Sequence, residues 1–230
     1  MTRTRWFPIL LLTAAFAVTT QAREPFVQPD DIDIKSILAP PPASDSDQTR
    51  REIDQLLQLQ AKRTDADVAR IKTEFELTPF LFSEVLGSWF NPDDLPATAK
   101  FLAQVMKNAG SISSQAKDIF KRDRPFTVDP RIHPCMEKET TFSYPSGHST
   151  RSMVLALALA RMFPEHADAL IARAKLVGDD RALAGEHFPG DVEAGRTLAK
   201  AIFQQMMKSP EFQAEMEKAK NESLAKEPSK

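Results

Sequence analysis

Cysteine is almost absent from this 230-residue chain: Cys135 stands alone, so no intramolecular disulfide can form and stability must come from packing. Glycine is scarce, with seven residues, and no window alternates polar and apolar side chains over several positions, which disfavours strands. Charge of one sign is missing as well. A net charge of −2 and a pI near 6.1 leave no global basic field for nucleic acid or an anionic membrane, so any positive potential must be local. Four histidines, scattered without metal-ligand spacing, give no zinc pattern. Long apolar runs are lacking too. The longest internal block, Met153 to Phe163, is broken by Arg161 and closed by Pro164, so no integral membrane span is expected in the mature chain.

What is present divides the chain into four stretches. Arg3 and Arg5, the apolar run Trp6 to Val18 and the small-residue site Thr20-Gln21-Ala22 read as an export signal over 1–22, cleaved near Ala22. That run is about 13 residues, short of the roughly 20 that cross a bilayer. Residues 23–47 are polar and proline-rich, including Pro40-Pro41-Pro42, and predict an extended arm rather than a core element, lying across the body or a partner subunit. Residues 48–208 carry the periodic apolar stripes of helices and predict one all-α domain. Thr64 to Asp67 has the spacing of a capping box, and Thr78-Pro79 opens a helix that Gly87 stops. A helix starting near Asp94 to Pro96 buries Leu102, Val105, Met106 and Ala109, with Gly110 as an interruption before Ile112 to Arg122. Further helices span Ser146 to Met162, Glu165 to Ala184 and Asp191 to Lys208. The charged tail, 209–230, has Phe212 and Met216 as its strong apolar anchors and predicts a fraying surface helix.

Three clusters carry chemistry. Lys117 and Arg124 are seven residues apart, two helical turns, which predicts that they project from nearly one face toward one anion; Pro125 ends the helix there. Arginine suits bidentate contact with phosphate oxygens and lysine acts as a point charge. A solvated basic face shared with Lys121 and Arg122 is the plain alternative. Ser146-Gly147-His148 precedes an apolar helix, so free N–H groups and the positive dipole end favour an anion there, while an ordinary N-cap explains the same residues. Arg181 falls in register with Leu170, Ala174 and Val177 and should point inward, where it needs a partner. His187 and Asp191 are four apart, so the carboxylate can orient the imidazole, or Asp191 can simply cap the last helix.

The pattern Lys117-(six)-Arg124-Pro125, Pro145-Ser146-Gly147-His148, Arg181-(five)-His187-(three)-Asp191 resembles the signature of the type 2 phosphatidic acid phosphatase superfamily. In its soluble exported form the chain is similar to the bacterial class A non-specific acid phosphatases. That resemblance implies a compact helical bundle like that of the vanadium haloperoxidases, a periplasmic enzyme acting on small phosphomonoesters without cofactor or metal, and a homodimer. It implies His187 as nucleophile, Asp191 as its orienting carboxylate and His148 as proton donor to the leaving oxygen. Lys117, Arg124, Arg181, Ser146 and the Gly147 amide would bind the phosphate oxygens. Roles of this kind call for His148 protonated and His187 neutral at the start, hence an acidic optimum.

One position departs from the pattern. The third motif usually opens with serine before its arginine, whereas here Asp180 precedes Arg181, where a carboxylate would orient Arg181 and lower the local positive charge. His133 and His166 fall outside the motifs and are expected on the surface or in loops. Phe80, Phe82, Phe90 and Tyr144 are expected near the leaving group. A vanadate-dependent oxidase and a phosphate-binding module without turnover use the same residue types and remain alternatives.

Overall fold

The computed structural model describes residues 25–228; the expected export signal lies outside them. The described residues form helices and loops with no strand: α1 Ile34–Ile37, α2 Asp47–Lys62, α3 Asp65–Glu74, α4 Ser83–Leu86, α5 Pro96–Phe120, α6 Pro125–Val128, α7 Gly147–Met162, α8 Ala167–Leu183, α9 Pro189–Met206 and α10 Pro210–Lys226. The all-α expectation holds. One helix start forms as its sequence predicts, with Thr64 and Asp67 making a reciprocal capping box at the head of α3; at the head of α2, Ser46 accepts from the Thr49 N–H.

Helix α7 is the hub, with α5, α8 and α9 packed around it. Met153, Val154, Leu155, Ala156, Ala158, Leu159 and Met162 are all buried, which gives this helix apolar surface on nearly every side. Its N-terminus, where the sequence turns polar, therefore sits inside the bundle rather than at its edge. Close approach of α9 makes this possible. A Cβ at Gly195 would lie 2.7 Å from the Ser146 carbonyl oxygen and 2.9 Å from Ser149 Cβ, so only glycine lets α9 come this near the start of α7.

Several expectations need correction. Helix α5 runs unbroken through Gly110 for 25 residues, about 37 Å. Gly110 faces α7, where an added Cβ would meet Arg151 Cδ at 3.5 Å, and burial of Leu102, Val105, Ala109 and Ile112 offsets the roughly 1 kcal/mol a helical glycine costs. Met106 is only partly buried. The helix also ends earlier than Arg124. Lys121 adopts a left-handed conformation (φ 49°), so Lys117 and Arg124 do not share a helical face. The turn after Thr78 is a 3-10 turn, Pro79–Phe82, leading into α4, and Thr78 makes no side-chain cap.

The N-terminal arm belongs to the core. Phe26, Val27, Ile32, Ile34 and Leu38 are buried in the main apolar cluster, and the Asn108 side chain on α5 pairs with both backbone groups of Val27 at 3.0 and 2.7 Å. Prolines suited to an extended path do not prevent apolar residues between them from packing. The tail is likewise docked: Phe212 is fully buried, with its ring 5.2 Å from Phe26 and 5.4 Å from Phe101. Glu222 on α10 accepts from the Ala97 and Thr98 N–H groups at 3.0 and 2.8 Å, satisfying donors exposed at the start of α5.

Candidate active site

Each candidate side chain is placed by the end of a helix. Lys117 occupies the last turn of α5. The left-handed Lys121 then reverses the chain, and Arg124 caps the short α6, with Pro125 in its first turn. Ser146 caps α7 through the Ser149 N–H, followed by Gly147 and His148 in the first turn. Arg181 lies in the last turn of α8, only 1 % exposed, and its carbonyl oxygen accepts from the Glu186 and His187 N–H groups as the chain turns through Gly185 (φ 81°). Asp191 occupies the third position of α9 and accepts from the Phe188 N–H at 2.9 Å, so it caps the helix as well as facing His187. The Ser146 N–H donates to the Asp191 carbonyl at 2.9 Å, tying the second and third motifs together.

Four of these groups, Lys117, Gly147, His148 and His187, line a cavity of about 240 Å³, with Ser113, Thr141, Glu139 and Arg151 among its walls; Arg124, Ser146, Arg181 and Asp191 are not part of that lining. Arg124 Nη1 lies 3.2 Å from His187 Nε2. A guanidinium can only donate, so Nε2 accepts and the ring carries its proton on Nδ1. That nitrogen faces Asp191 Oδ2 at 3.5 Å and Ser143 Oγ at 3.4 Å, and Ser143 Oγ donates to the same carboxylate oxygen at 2.5 Å. For His148 the assignment runs the other way. Its Nε2 lies 3.1 Å from the Phe75 carbonyl, an acceptor, so Nε2 is protonated and Nδ1 is left to exchange a proton.

Burial, reinforced by Arg124, Lys117 and Arg181, holds the His187 pKa well below the ordinary imidazole value. His148 is also pushed down, to about 3, by burial and by Arg181 and Arg151. Both shifts run the same way, so the protein's own charges favour the neutral form of each ring and do not build in the expected opposition between a protonated His148 and a neutral His187. Burial also lowers Lys117 to about 7, with Arg124 adding repulsion; its Nζ donates to the Phe142 carbonyl. The cavity thus concentrates positive charge that the protein neutralises incompletely.

Two groups of residues escaped the sequence analysis. Arg122, read as part of a solvated face, is buried: it donates to Asp191 Oδ1 at 2.6 Å and to Glu52 Oε2 at 2.6 Å, and lies 3.9 Å over the Phe188 ring. Glu52 comes from α2, 70 positions away, and no local signal marks it. The second group is Glu139, in the irregular segment between α6 and α7, which accepts from both Arg124 Nη2 at 2.7 Å and Arg181 Nη2 at 2.8 Å. The inward arginine thus has a partner, but it is not Asp180. Asp180 accepts instead from Arg70 Nε and Nη2, each at 2.7 Å, so it neither orients Arg181 nor faces the cavity.

The aromatic residues expected near the leaving group lie elsewhere. Phe82 and Phe90 are fully buried in the main core, Phe80 stacks on Phe90, and the Tyr144 hydroxyl donates to the Ala39 carbonyl. Core packing claims those rings, and the cavity walls are polar. His133 is exposed and His166 half-buried, as expected. Among the described residues, the group able to converge on a metal ion is Glu165, His166 and Glu227, none of which belongs to this cavity.

Comparison with known proteins agrees with this architecture. Residues 98–213 match the PAP2 superfamily, and the chain belongs to that superfamily. Within it, the chain is 30% identical over 232 residues to a non-specific acid phosphatase of Salmonella typhi, covering 94% of this chain and 90% of the relative. An acid phosphatase of Zymomonas mobilis is 31% identical over 198 residues, covering 80% and 73% of the two chains. The crystal structure of a transmembrane PAP2-type phosphatidylglycerolphosphate phosphatase from Bacillus subtilis shares the fold, with a TM-score of 0.51, 19% identity, and coverage of 73% of this chain and 88% of that one. No described helix is long and apolar enough to cross a membrane.

Proposed function

We propose that this PAP2-superfamily enzyme is an acid phosphatase that hydrolyses small phosphate monoesters in two steps, through a phosphohistidine on His187 and without a metal ion. The observation that carries the reading is the polarity of the His187 ring. Nδ1 is held toward Asp191, while Nε2 faces Arg124 beside a cavity that also holds Lys117 and His148. In the first step Nε2 attacks phosphorus, the bond to the leaving oxygen breaks, and His148 delivers a proton to that oxygen. In the second, water attacks phosphorus with His148 accepting its proton, the N–P bond breaks, and inorganic phosphate leaves. Asp191 stabilises the imidazolium that forms at His187. Lys117, Arg124, Arg181 and the Ser146 and Gly147 groups at the start of α7 hold the equatorial oxygens, supplying the charge that a metal would otherwise provide.

The proton needed by His148 arrives with the substrate. Below pH about 6, the second pKa of a phosphate monoester, the ester carries a proton that the neutral Nδ1 of His148 can take up and pass to the leaving oxygen. Lys117 reinforces the same trend, since its charge is lost as pH rises through about 7. Both effects favour acid.

The test is release of nitrophenol from p-nitrophenyl phosphate at acid pH with excess EDTA, alongside His187→Ala. Activity that survives chelation and vanishes in the variant is expected; loss on chelation, or turnover by the variant, sinks the reading. The family resemblance and the N-terminal sequence extend the proposal to periplasmic export and a homodimer. Fractionation of expressing cells and light scattering of the mature protein check these two points.

A further inference from the structure

The two arginines that the proposed mechanism assigns to phosphate already hold an anion. Glu139 places one carboxylate oxygen on Arg124 Nη2 at 2.7 Å and the other on Arg181 Nη2 at 2.8 Å. The two donors are fixed and buried, with side chains 4 % and 1 % exposed, whereas the Glu139 side chain is 26 % exposed and reaches solvent. Its backbone lies in residues 129–146, which form no helix. That segment is held on its far side, where Thr141 accepts from Arg124 Nε and Lys117 donates to the Phe142 carbonyl. Glu139 thus sits on an irregular stretch just before a pinned point.

A planar carboxylate fills this site only in part. Arg181 Nε and Nη1 are buried without partners, and so is Ser113 Oγ, which lines the same cavity. Buried donors left unpaired cost about 1–3 kcal/mol each, so they are retained where another acceptor takes them. A phosphate group offers three oxygens in place of two. Glu186, the other carboxylate near Arg124 at 3.4 Å, is fully buried in the turn after α8 and has no route out.

We propose that Glu139 is the resident occupant of the phosphate subsite and that a phosphate group binds by exchanging with its carboxylate, which swings out with residues 137–140. This rests on the phosphatase reading of the site. No bond is made or broken; one anion replaces another on Arg124 and Arg181, and the unpaired Arg181 donors gain an acceptor. Burial works to raise the Glu139 carboxyl, but Arg124 and Arg181 outweigh it and hold it at about 2, so the occupant is ionised across the acid range in which the enzyme is proposed to work. Glu139 therefore sets an affinity threshold that any ligand must exceed.

The experiment is calorimetric titration of the wild-type protein and of Glu139→Gln with inorganic phosphate, joined to amide hydrogen exchange of residues 136–141 with and without phosphate. Tighter binding by the variant, on the order of 10-fold, is expected, together with faster exchange of that segment when phosphate binds the wild type. Glu139→Asp, too short to span both arginines, should fall between. Equal or weaker binding by Glu139→Gln overturns the proposal, as does unchanged or slower exchange in the wild type, which would mean that lost charge alone raised the affinity. Absence of phosphate binding in both proteins also overturns it. Hydrolysis of p-nitrophenyl phosphate is followed in parallel: a wild type that shows the exchange but no turnover refutes the phosphatase reading and leaves Glu139's role standing.

Discussion

The two sides of His187 are built on opposite principles. Behind the ring, Asp191, Arg122, Glu52 and Ser143 form a buried network in which the Asp191 carboxylate accepts from Arg122, Ser143 and the Phe188 N–H. In front, Lys117 is pushed toward neutrality, two Arg181 donors lack partners, and the bridging carboxylate of Glu139 reaches solvent. A saturated network holds geometry, because removing any member strands a buried charge. An unsaturated one stores affinity for whatever completes it. The difference separates residues that place the nucleophile from residues that await the anion, a division that composition alone does not reveal.

Substitutions break this contrast in graded ways. The largest effect is expected from His187→Ala, which removes the group the two sides share: turnover of p-nitrophenyl phosphate should fall by about 10⁴-fold or more, with no acid-labile phosphoenzyme in a quench experiment. Next comes Arg122→Ala, which leaves Glu52 and Asp191 buried without the cation they share; a loss of about 3–5 kcal/mol in urea unfolding is expected, with kcat reduced. Loss of stability below about 1 kcal/mol would show that the rear network does not depend on Arg122 for its charge balance.

On the front side, Lys117→Arg should sharpen the comparison. Lys117 is charged below about pH 7 and neutral above it, so phosphate binding weakens as pH rises through that value. An arginine keeps its charge, and the falling limb of kcat/KM should move upward in pH. A limb that stays in place assigns it to the substrate proton instead. The smallest effect is expected from Asp180→Ser, which restores the residue usual in the motif. Asp180 pairs with the partly exposed Arg70 and not with Arg181, so stability should fall by about 1 kcal/mol while kcat/KM changes less than about twofold. A large gain in phosphate affinity would mean that Asp180 acts on the cage after all.

Much of the site's residue inventory was legible along the chain, because the ends of helices announce themselves locally. Ser146 as a cap, Asp191 at the head of α9 and the inward register of Arg181 all follow from rules that act within a few residues, whereas Pro125, read as the end of one helix, opens α6. The same local rules mispredicted whatever depends on distant partners. Gly110 signals a break in isolation, yet α7 packs against it and the helix continues. The arm and the tail read as peripheral by composition, yet Phe26 and Phe212 meet in one aromatic cluster at opposite ends of the described chain. The aromatic residues expected near the leaving group were drawn into the core for the same reason, since apolar area is buried wherever the fold offers it.

By itself, then, the sequence determined the class of the fold, the three motif clusters and the identity of the cationic and imidazole groups, since helix periodicity, capping and spacing are short-range properties. Tertiary structure alone decided that Arg122 and Glu52 brace Asp191, that Asp180 turns away to Arg70, and that Glu139 bridges Arg124 and Arg181. Those pairings join residues from 15 to 110 positions apart. A buried charge takes the partner that packing brings within about 3 Å, and proximity of that kind is fixed by the folded chain rather than by any neighbour in sequence.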